Sequence, residues 1–183
     1  MEKTFIGTIR TRKLTLSAML LAIGLILPSF TGPQLGSVLL PMHIPALLAG
    51  IIVGKKQGMM VGILIPLFRS FLFGMPPIIP IASAMAIEMG VYAFVAGLVI
   101  GRRKFSMKKL YTAIVTAMLA GRIAFGLVMF VMLSGLGLGA GVYSISIWFT
   151  SVFTSSLVGI GFHLIMVPAI AATLWKSGII REE

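Results

Sequence analysis

Long apolar stretches, separated by short segments that carry most of the charged, Gly and Pro residues, run along nearly the whole chain. A helix needs about 20 predominantly apolar residues to cross the roughly 30 Å hydrocarbon core of a bilayer. By this criterion the sequence predicts six membrane-spanning helices, at residues 14–30, 38–54, 58–73, 80–100, 110–132 and 144–175. The predicted fold class is therefore all-α: a single integral membrane bundle over residues 1–183.

Composition agrees with a bundle that is surrounded by lipid. The chain has 183 residues, of which 58% are hydrophobic and 10% charged, and its mean hydropathy is +1.10. A soluble domain of this size does not need so much apolar surface. The absence of cysteine excludes disulfides, thiolate metal sites and cysteine nucleophiles, and the absence of Asp excludes aspartate-based proteolysis.

The positive charges predict the orientation of the bundle. Thirteen of the fifteen Lys and Arg residues fall at the two ends of the chain or in alternate connections between spans. Because cytoplasmic loops are enriched in Lys and Arg, we expect both termini in the cytoplasm and no nucleic-acid partner for the net charge of +11. The clusters are Lys3/Arg10/Arg12/Lys13, Lys55/Lys56, Arg102/Arg103/Lys104/Lys108/Lys109 and Lys176/Arg181.

The remaining internal charges, Arg69, Glu88 and Arg122, lie inside apolar runs. With His43 they are predicted to occupy the outer half of the bilayer, at depths of about 6–15 Å from the outer ends of their helices. Charges at such depths persist when they are paired or line a wet cavity. Glu88 can pair with Arg69 or Arg122, and either choice leaves one guanidinium to bind a carboxylate or phosphate.

These residues form the predicted substrate-binding set, together with Gln34 from the first outward segment: His43, Arg69, Glu88, Arg122 and Gln34. The alternative is a Glu–Arg pair that only fixes the register of the bundle. No metal or cofactor is predicted.

His163 is the polar residue predicted for the inner half of the bilayer. Ser and Thr side chains at residues 154–156 suggest an intramembrane hydrolase as an alternative function. Since no nucleophile signature or orienting acid accompanies them, a hydrogen-bonded structural histidine is favoured.

Two further motifs bear on partners and access. Ala18 and Ala22 form a small-xxx-small pair that lets another helix approach closely, either within the bundle or from a partner. The glycine-rich stretch 135–141 predicts a flexible outer lid or a passive connector. It does not resemble a Walker motif, so any ATP hydrolysis must come from a partner.

The chain resembles the substrate-binding S component of an energy-coupling factor (ECF) vitamin transporter. The resemblance rests on the small basic-inside bundle, the Ala18/Ala22 pair, and the segments Leu39–Gly50 and Pro66–Pro77. These segments resemble the branch associated with pantothenate, pyridoxine or hydroxymethylpyrimidine.

The resemblance implies a multi-pass protein of the bacterial plasma membrane that is not itself an enzyme. It implies capture of a vitamin from outside, with a transmembrane coupling protein and two cytoplasmic ATPases as partners. Span one would contact the coupling protein through Ala18 and Ala22. The excess of buried arginine makes pantothenate the preferred ligand hypothesis, and a purely structural accessory subunit is the remaining alternative class.

Overall fold

The structure, a computed structural model, describes residues 2–101, 106–135 and 157–178. Within these ranges, the side chains of residues 2–10, 33–35, 37–38 and 157–158 are outside the description. The described chain is helical and contains no strand, which confirms the predicted all-α class. The helices are α1 (Glu2–Leu39), α2 (His43–Val53), α3 (Lys55–Phe73), α4 (Ser83–Ile100), α5 (Met107–Phe130) and α6 (Leu157–Lys176), with short π-helical turns at Ile78–Ala82 and Val131–Gly135.

Five of the described helical segments are long and apolar enough to cross a membrane, so the chain is a multi-pass membrane protein. They are Thr11–Gly32, Lys55–Phe73, Ile78–Ile100, Met107–Gly135 and Gly159–Lys176. α2 differs from its predicted span, 38–54, because a turn after Leu39 delays its start to His43. Its 11 residues rise about 16 Å, roughly half of the hydrocarbon thickness.

The short helix α2 lies at the centre of the bundle. Nearly all its residues are buried, and it packs against α3 and α4, while α4 also packs against α3 and α5. The helices approach closely through glycine: a side chain at Gly50 would collide with the backbone carbonyl of Ala93 on α4. Small residues at such contacts let backbones pack in lipid, where burial of apolar surface does not drive helix association.

The outward surface of the bundle is apolar, as expected for contact with lipid. Large exposed side chains occur on α1, α3, α4, α5 and α6, and they include Leu14, Phe30, Phe71, Leu98, Leu127 and Ile165. In water a surface of this kind would drive aggregation. In a bilayer it needs no further partner.

The described basic residues outside the apolar runs lie at one end of the bundle, called here the basic end. Arg12, at the start of the apolar part of α1, donates to the Gly178 carbonyl beyond α6, at 3.2 Å. Lys109 at the start of α5 donates to the Ile100 carbonyl at the end of α4, at 2.7 Å. The basic end thus joins α1 to α6 and α4 to α5, and it is the end that the sequence predicted to be cytoplasmic. Arg102, Arg103 and Lys104 lie outside the described residues.

Candidate functional site

Three ionisable side chains from three helices meet at Glu88 in the bundle interior. Arg122 on α5 places Nη1 3.1 Å from Glu88 Oε1, and His43 on α2 places Nε2 3.6 Å from Glu88 Oε2. The exposed fractions are 1% for His43 and Glu88 and 6% for Arg122. Of the two pairings that the sequence left open, the structure contains Glu88–Arg122.

The cluster residues share one level in the bundle, as counted from the basic end. At a rise of 1.5 Å per residue, Glu88 lies about 18 Å from the end of α4, and Arg122 about 22 Å from the start of α5. His163 lies about 20 Å from the end of α6 by the same count. The site is therefore more than halfway across a hydrocarbon core of about 30 Å.

Arg122 contacts Glu88 through only one of the three nitrogens of its guanidinium, Nη1. Its Nε and Nη2 are buried and have no hydrogen-bond partner among the described residues. These two nitrogens form one edge of the planar group, and their N–H bonds point the same way. That edge matches the two oxygens of a carboxylate or phosphate. A buried donor without a partner costs about 1–3 kcal/mol, so a ligand that pairs with it recovers this energy.

His163 belongs to the same cluster, which corrects its prediction for the inner half. Its ring centroid lies 5.8 Å from that of His43. Counted from the end of α6 at Lys176, His163 lies about 20 Å along the helix, at the level of the other cluster residues. Its Nδ1 contacts the Gly159 carbonyl, and its Nε2 lies 3.2 Å from the Leu40 carbonyl. Thr154, Ser155 and Ser156, the partners of the hydrolase alternative, lie outside the described residues.

Leu40 is held in a backbone conformation that side chains rarely adopt. Its φ is +49°, in the left-handed region that costs a non-glycine residue about 1–3 kcal/mol. The Leu40 carbonyl oxygen faces both histidines, at 3.1 Å from His43 Nδ1 and 3.2 Å from His163 Nε2. The turn between α1 and α2 thus orients two rings of the site.

Tyr92 completes the cluster and was not among the predicted site residues. Its hydroxyl donates to Glu88 Oε1 at 2.7 Å, and its side chain is fully buried. Glu88 and Tyr92 stand four residues apart on α4, a spacing that puts side chains on one helix face. That spacing was the sequence feature that could have identified Tyr92 as a member of the cluster.

Among the described residues, no group of three or more His, Cys, Asp or Glu forms a metal site.

Gly121 on α5 leaves the space that the Tyr92 ring occupies. A Cβ at this position would collide with the ring and would lie 2.9 Å from the Glu88 carbonyl oxygen. We expect Gly121→Ala to displace Tyr92, to lower stability by about 1–3 kcal/mol and to weaken ligand binding. Thermal unfolding in detergent and titration calorimetry measure the two effects. Gly161→Ala on α6, where a Cβ meets nothing within 4 Å, is the control, and equal effects at the two glycines would contradict this explanation.

Arg69, which the sequence placed in the same predicted set, contacts α1 and not Glu88. Its Nη1 donates to the Leu25 carbonyl at 2.6 Å and to Ser29 Oγ at 3.2 Å, both on α1. The guanidinium carbon also lies 5.0 Å from the centre of the Phe73 ring, within cation–π range. Arg69 is part-buried and joins α3 to α1, and it has no ion pair with Glu88. The side chain of Gln34 lies outside the described residues.

The small residues fall into two groups. Gly50, Gly58 and Gly62 are buried at contacts among α2, α3 and α4, where added side chains would collide with backbone. Ala18 and Ala22 are exposed on α1 instead. Within the described part of the bundle, the two alanines therefore do not serve internal close packing. Residues 136–141 of the predicted lid lie outside the described residues.

Ionisable side chains inside a membrane bundle pair with one another or mark substrate and ion pathways. The sequence model of the family described as "ECF transporter, substrate-specific component" matches residues 12–171, most of the chain. The chain belongs to this family. It is thus a membrane-embedded substrate-binding subunit of an ECF transporter, and such subunits are transport proteins, not enzymes. No curated protein and no solved structure matched the chain.

Proposed function

We propose that the chain captures an anionic, water-soluble vitamin, with pantothenate as the preferred candidate, and that Arg122 binds its carboxylate. The observation that carries the proposal is the buried Nε–Nη2 edge of Arg122, which has no partner among the described residues. Two parallel charged hydrogen bonds to a carboxylate would satisfy this edge. Pyridoxine, hydroxymethylpyrimidine or another vitamin is the alternative ligand for the same role.

The surrounding residues support this assignment through their charges. Glu88 balances the charge of Arg122 and accepts from its Nη1, while Tyr92 donates to the same carboxylate. These two contacts hold the guanidinium in one orientation, with the Nε–Nη2 edge turned away from Glu88. Arg69 also bonds through Nη1 alone, but its partners are on α1 and it is only part-buried, so we assign it to the α1–α3 contact and not to the ligand.

The proposed topology has six crossings of the cell membrane. Its orientation places the basic end and both termini in the cytoplasm. The rule that Lys and Arg accumulate on the cytoplasmic side supports it. Because the cluster is about 20 Å from the basic end, the ligand would then enter from outside. A transmembrane coupling protein and two cytoplasmic ATPases would drive its release, since the chain has no ATP-binding motif of its own.

Titration calorimetry of the purified protein in nanodiscs with three vitamins tests the ligand. We expect pantothenate to bind at least about 100-fold more tightly than pyridoxine or hydroxymethylpyrimidine, a difference of about 3 kcal/mol, because only pantothenate carries a carboxylate for Arg122. Tight binding of neutral pyridoxine without binding of pantothenate would overturn the assignment.

Bulky residues at Ala18 and Ala22 test the proposed contact with the coupling protein. Both side chains are exposed on α1, so Ala18→Trp and Ala22→Trp should prevent close approach of a partner helix. We expect loss of vitamin uptake by cells that contain the complete transporter, with ligand affinity unchanged. Leu127→Trp, at an exposed position of α5, is the matched control and should leave uptake intact. Loss of binding together with uptake would assign this face to the pocket scaffold.

A further inference from the structure

The two nitrogens of the His43 ring have different environments. Nδ1 lies 3.1 Å from the Leu40 carbonyl oxygen. A carbonyl oxygen only accepts hydrogen bonds, so Nδ1 must carry the hydrogen. In the neutral ring, Nε2 is then an acceptor with a free lone pair.

Nε2 has no hydrogen-bond partner within the described part of the chain, although His43 is buried. The atom that faces it is Glu88 Oε2 at 3.6 Å, which is also an acceptor. The other titratable rings near His43 are Tyr92 and His163, with ring centroids at 5.3 and 5.8 Å. The Tyr92 hydroxyl already donates to Glu88 Oε1. With the ring neutral, Nε2 and Oε2 are two adjacent acceptors, and a donor from a ligand can satisfy them.

The Leu40 turn fixes this arrangement. The left-handed backbone at Leu40 turns its carbonyl toward Nδ1 of His43, and Nε2 of His163 lies 3.2 Å from the same oxygen. His163 therefore acts as a positioning residue for the carbonyl, and the carbonyl sets the tautomer of His43. Nε2 of His43 faces Oε2 of Glu88, and Nη1 of Arg122, the nitrogen next to the free edge, lies 3.1 Å from Oε1 of the same carboxylate.

We propose that His43 Nε2 accepts a hydrogen bond from a substrate hydroxyl, so that the site selects a hydroxylated carboxylate over its deoxy counterpart. This inference rests on the proposed function, because it assumes that Arg122 holds the carboxylate of the same molecule. It adds a second recognition element of opposite polarity: donors at Arg122 and an acceptor at His43. The substrate class is a monoanion with a hydroxyl group within reach of Glu88.

Nitrogen NMR of the ligand-free protein tests the tautomer without any ligand. The chain has two histidines, so histidine labelled with ¹⁵N gives two rings, and His163→Gln assigns them. We expect a protonated Nδ1 and an unprotonated Nε2 for His43. A protonated Nε2 would overturn the inference.

Two substitutions at His43 test the hydroxyl contact. Asn keeps a donor near the position of Nδ1 but has no acceptor at Nε2, whereas Gln keeps an acceptor near Nε2. The probes are pantothenate and its two monodeoxy analogues, each lacking one hydroxyl. In the unchanged protein, we expect at least one analogue to bind about tenfold more weakly than pantothenate. In His43→Asn, the affinities for pantothenate and that analogue should differ by no more than about twofold. His43→Gln should retain most of the preference for pantothenate.

The outcomes separate this inference from the proposed function. An unaltered preference in His43→Asn overturns the hydroxyl contact while leaving the carboxylate site at Arg122 in place. Absence of pantothenate binding by the unchanged protein overturns the proposed ligand. In that case the NMR result decides the inference: an unprotonated Nε2 supports a different hydroxylated anion, and a protonated one rejects it.

Discussion

Replacement of Arg122 by glutamine is expected to raise the Kd for pantothenate by at least about 100-fold. The substitution removes both donors of the free Nε–Nη2 edge, each of which makes a charge-assisted bond worth about 1.5–3 kcal/mol. Because Arg122 is buried, solvent does not weaken these bonds. Titration calorimetry in nanodiscs, on protein whose folding has been verified by thermal unfolding, measures the change.

Arg69→Gln is the matched control, since it removes the same charge from the neighbouring part of the bundle. Arg69 already donates to Leu25 and Ser29 on α1, so we expect lower thermal stability and a Kd within about threefold of the original. Arg122→Lys should give an intermediate affinity, because an ammonium keeps the charge but lacks the planar two-donor edge. A Kd that depends on Arg69 and not on Arg122 would refute the assignment.

Replacement of Glu88 by methionine is expected to give the largest loss of stability. It leaves the buried Arg122 without its ion partner, and breaking one side of a buried pair costs about 3–5 kcal/mol. For a chain of this size, that corresponds to a fall in melting temperature on the order of 10 °C. Tyr92 would also lose its acceptor, so the comparison is best made in a Tyr92→Phe background.

The double replacement Glu88→Met/Arg122→Met separates stability from function. Replacing a whole buried ion pair by apolar side chains of similar size is often neutral, so the double variant should melt close to the Tyr92→Phe parent. It should still fail to bind pantothenate, because the donor edge is gone. A double variant that melts as low as Glu88→Met would show that the ion pair does not account for the loss. Retained binding would favour a purely structural role for the pair.

The sequence predicted the helical class and a contact between Glu88 and a buried arginine, because charged residues inside apolar runs have few explanations in a membrane. It did not predict the contacts of Arg69 with α1, since depth along a helix can be counted from sequence but rotation about the helix axis cannot. Helices that are apolar all round carry little information about which face is buried. Only the packing of α3 against α1 shows that Arg69 bonds to Leu25 and Ser29.

Two other features of the cluster were not predicted, for different physical reasons. Tyr92 was overlooked because tyrosine in membrane proteins is expected at the interfaces, whereas here its hydroxyl is satisfied by Glu88 in the interior. His163 was placed at the wrong depth because the last apolar run, 144–175, is longer than one membrane crossing, so the depth depends on the end from which it is counted. From Lys176 at the basic end, His163 is about 20 Å along α6.

The central claim, that this subunit captures an anionic vitamin through Arg122, is tested most directly by mass spectrometry of the small molecule that co-purifies with it. The detergent-extracted protein is compared with Arg122→Gln prepared in the same way. We predict a carboxylate with the mass of pantothenate in the first preparation and its absence from the second. A neutral vitamin retained equally by both preparations, or no small molecule in either, would contradict the account.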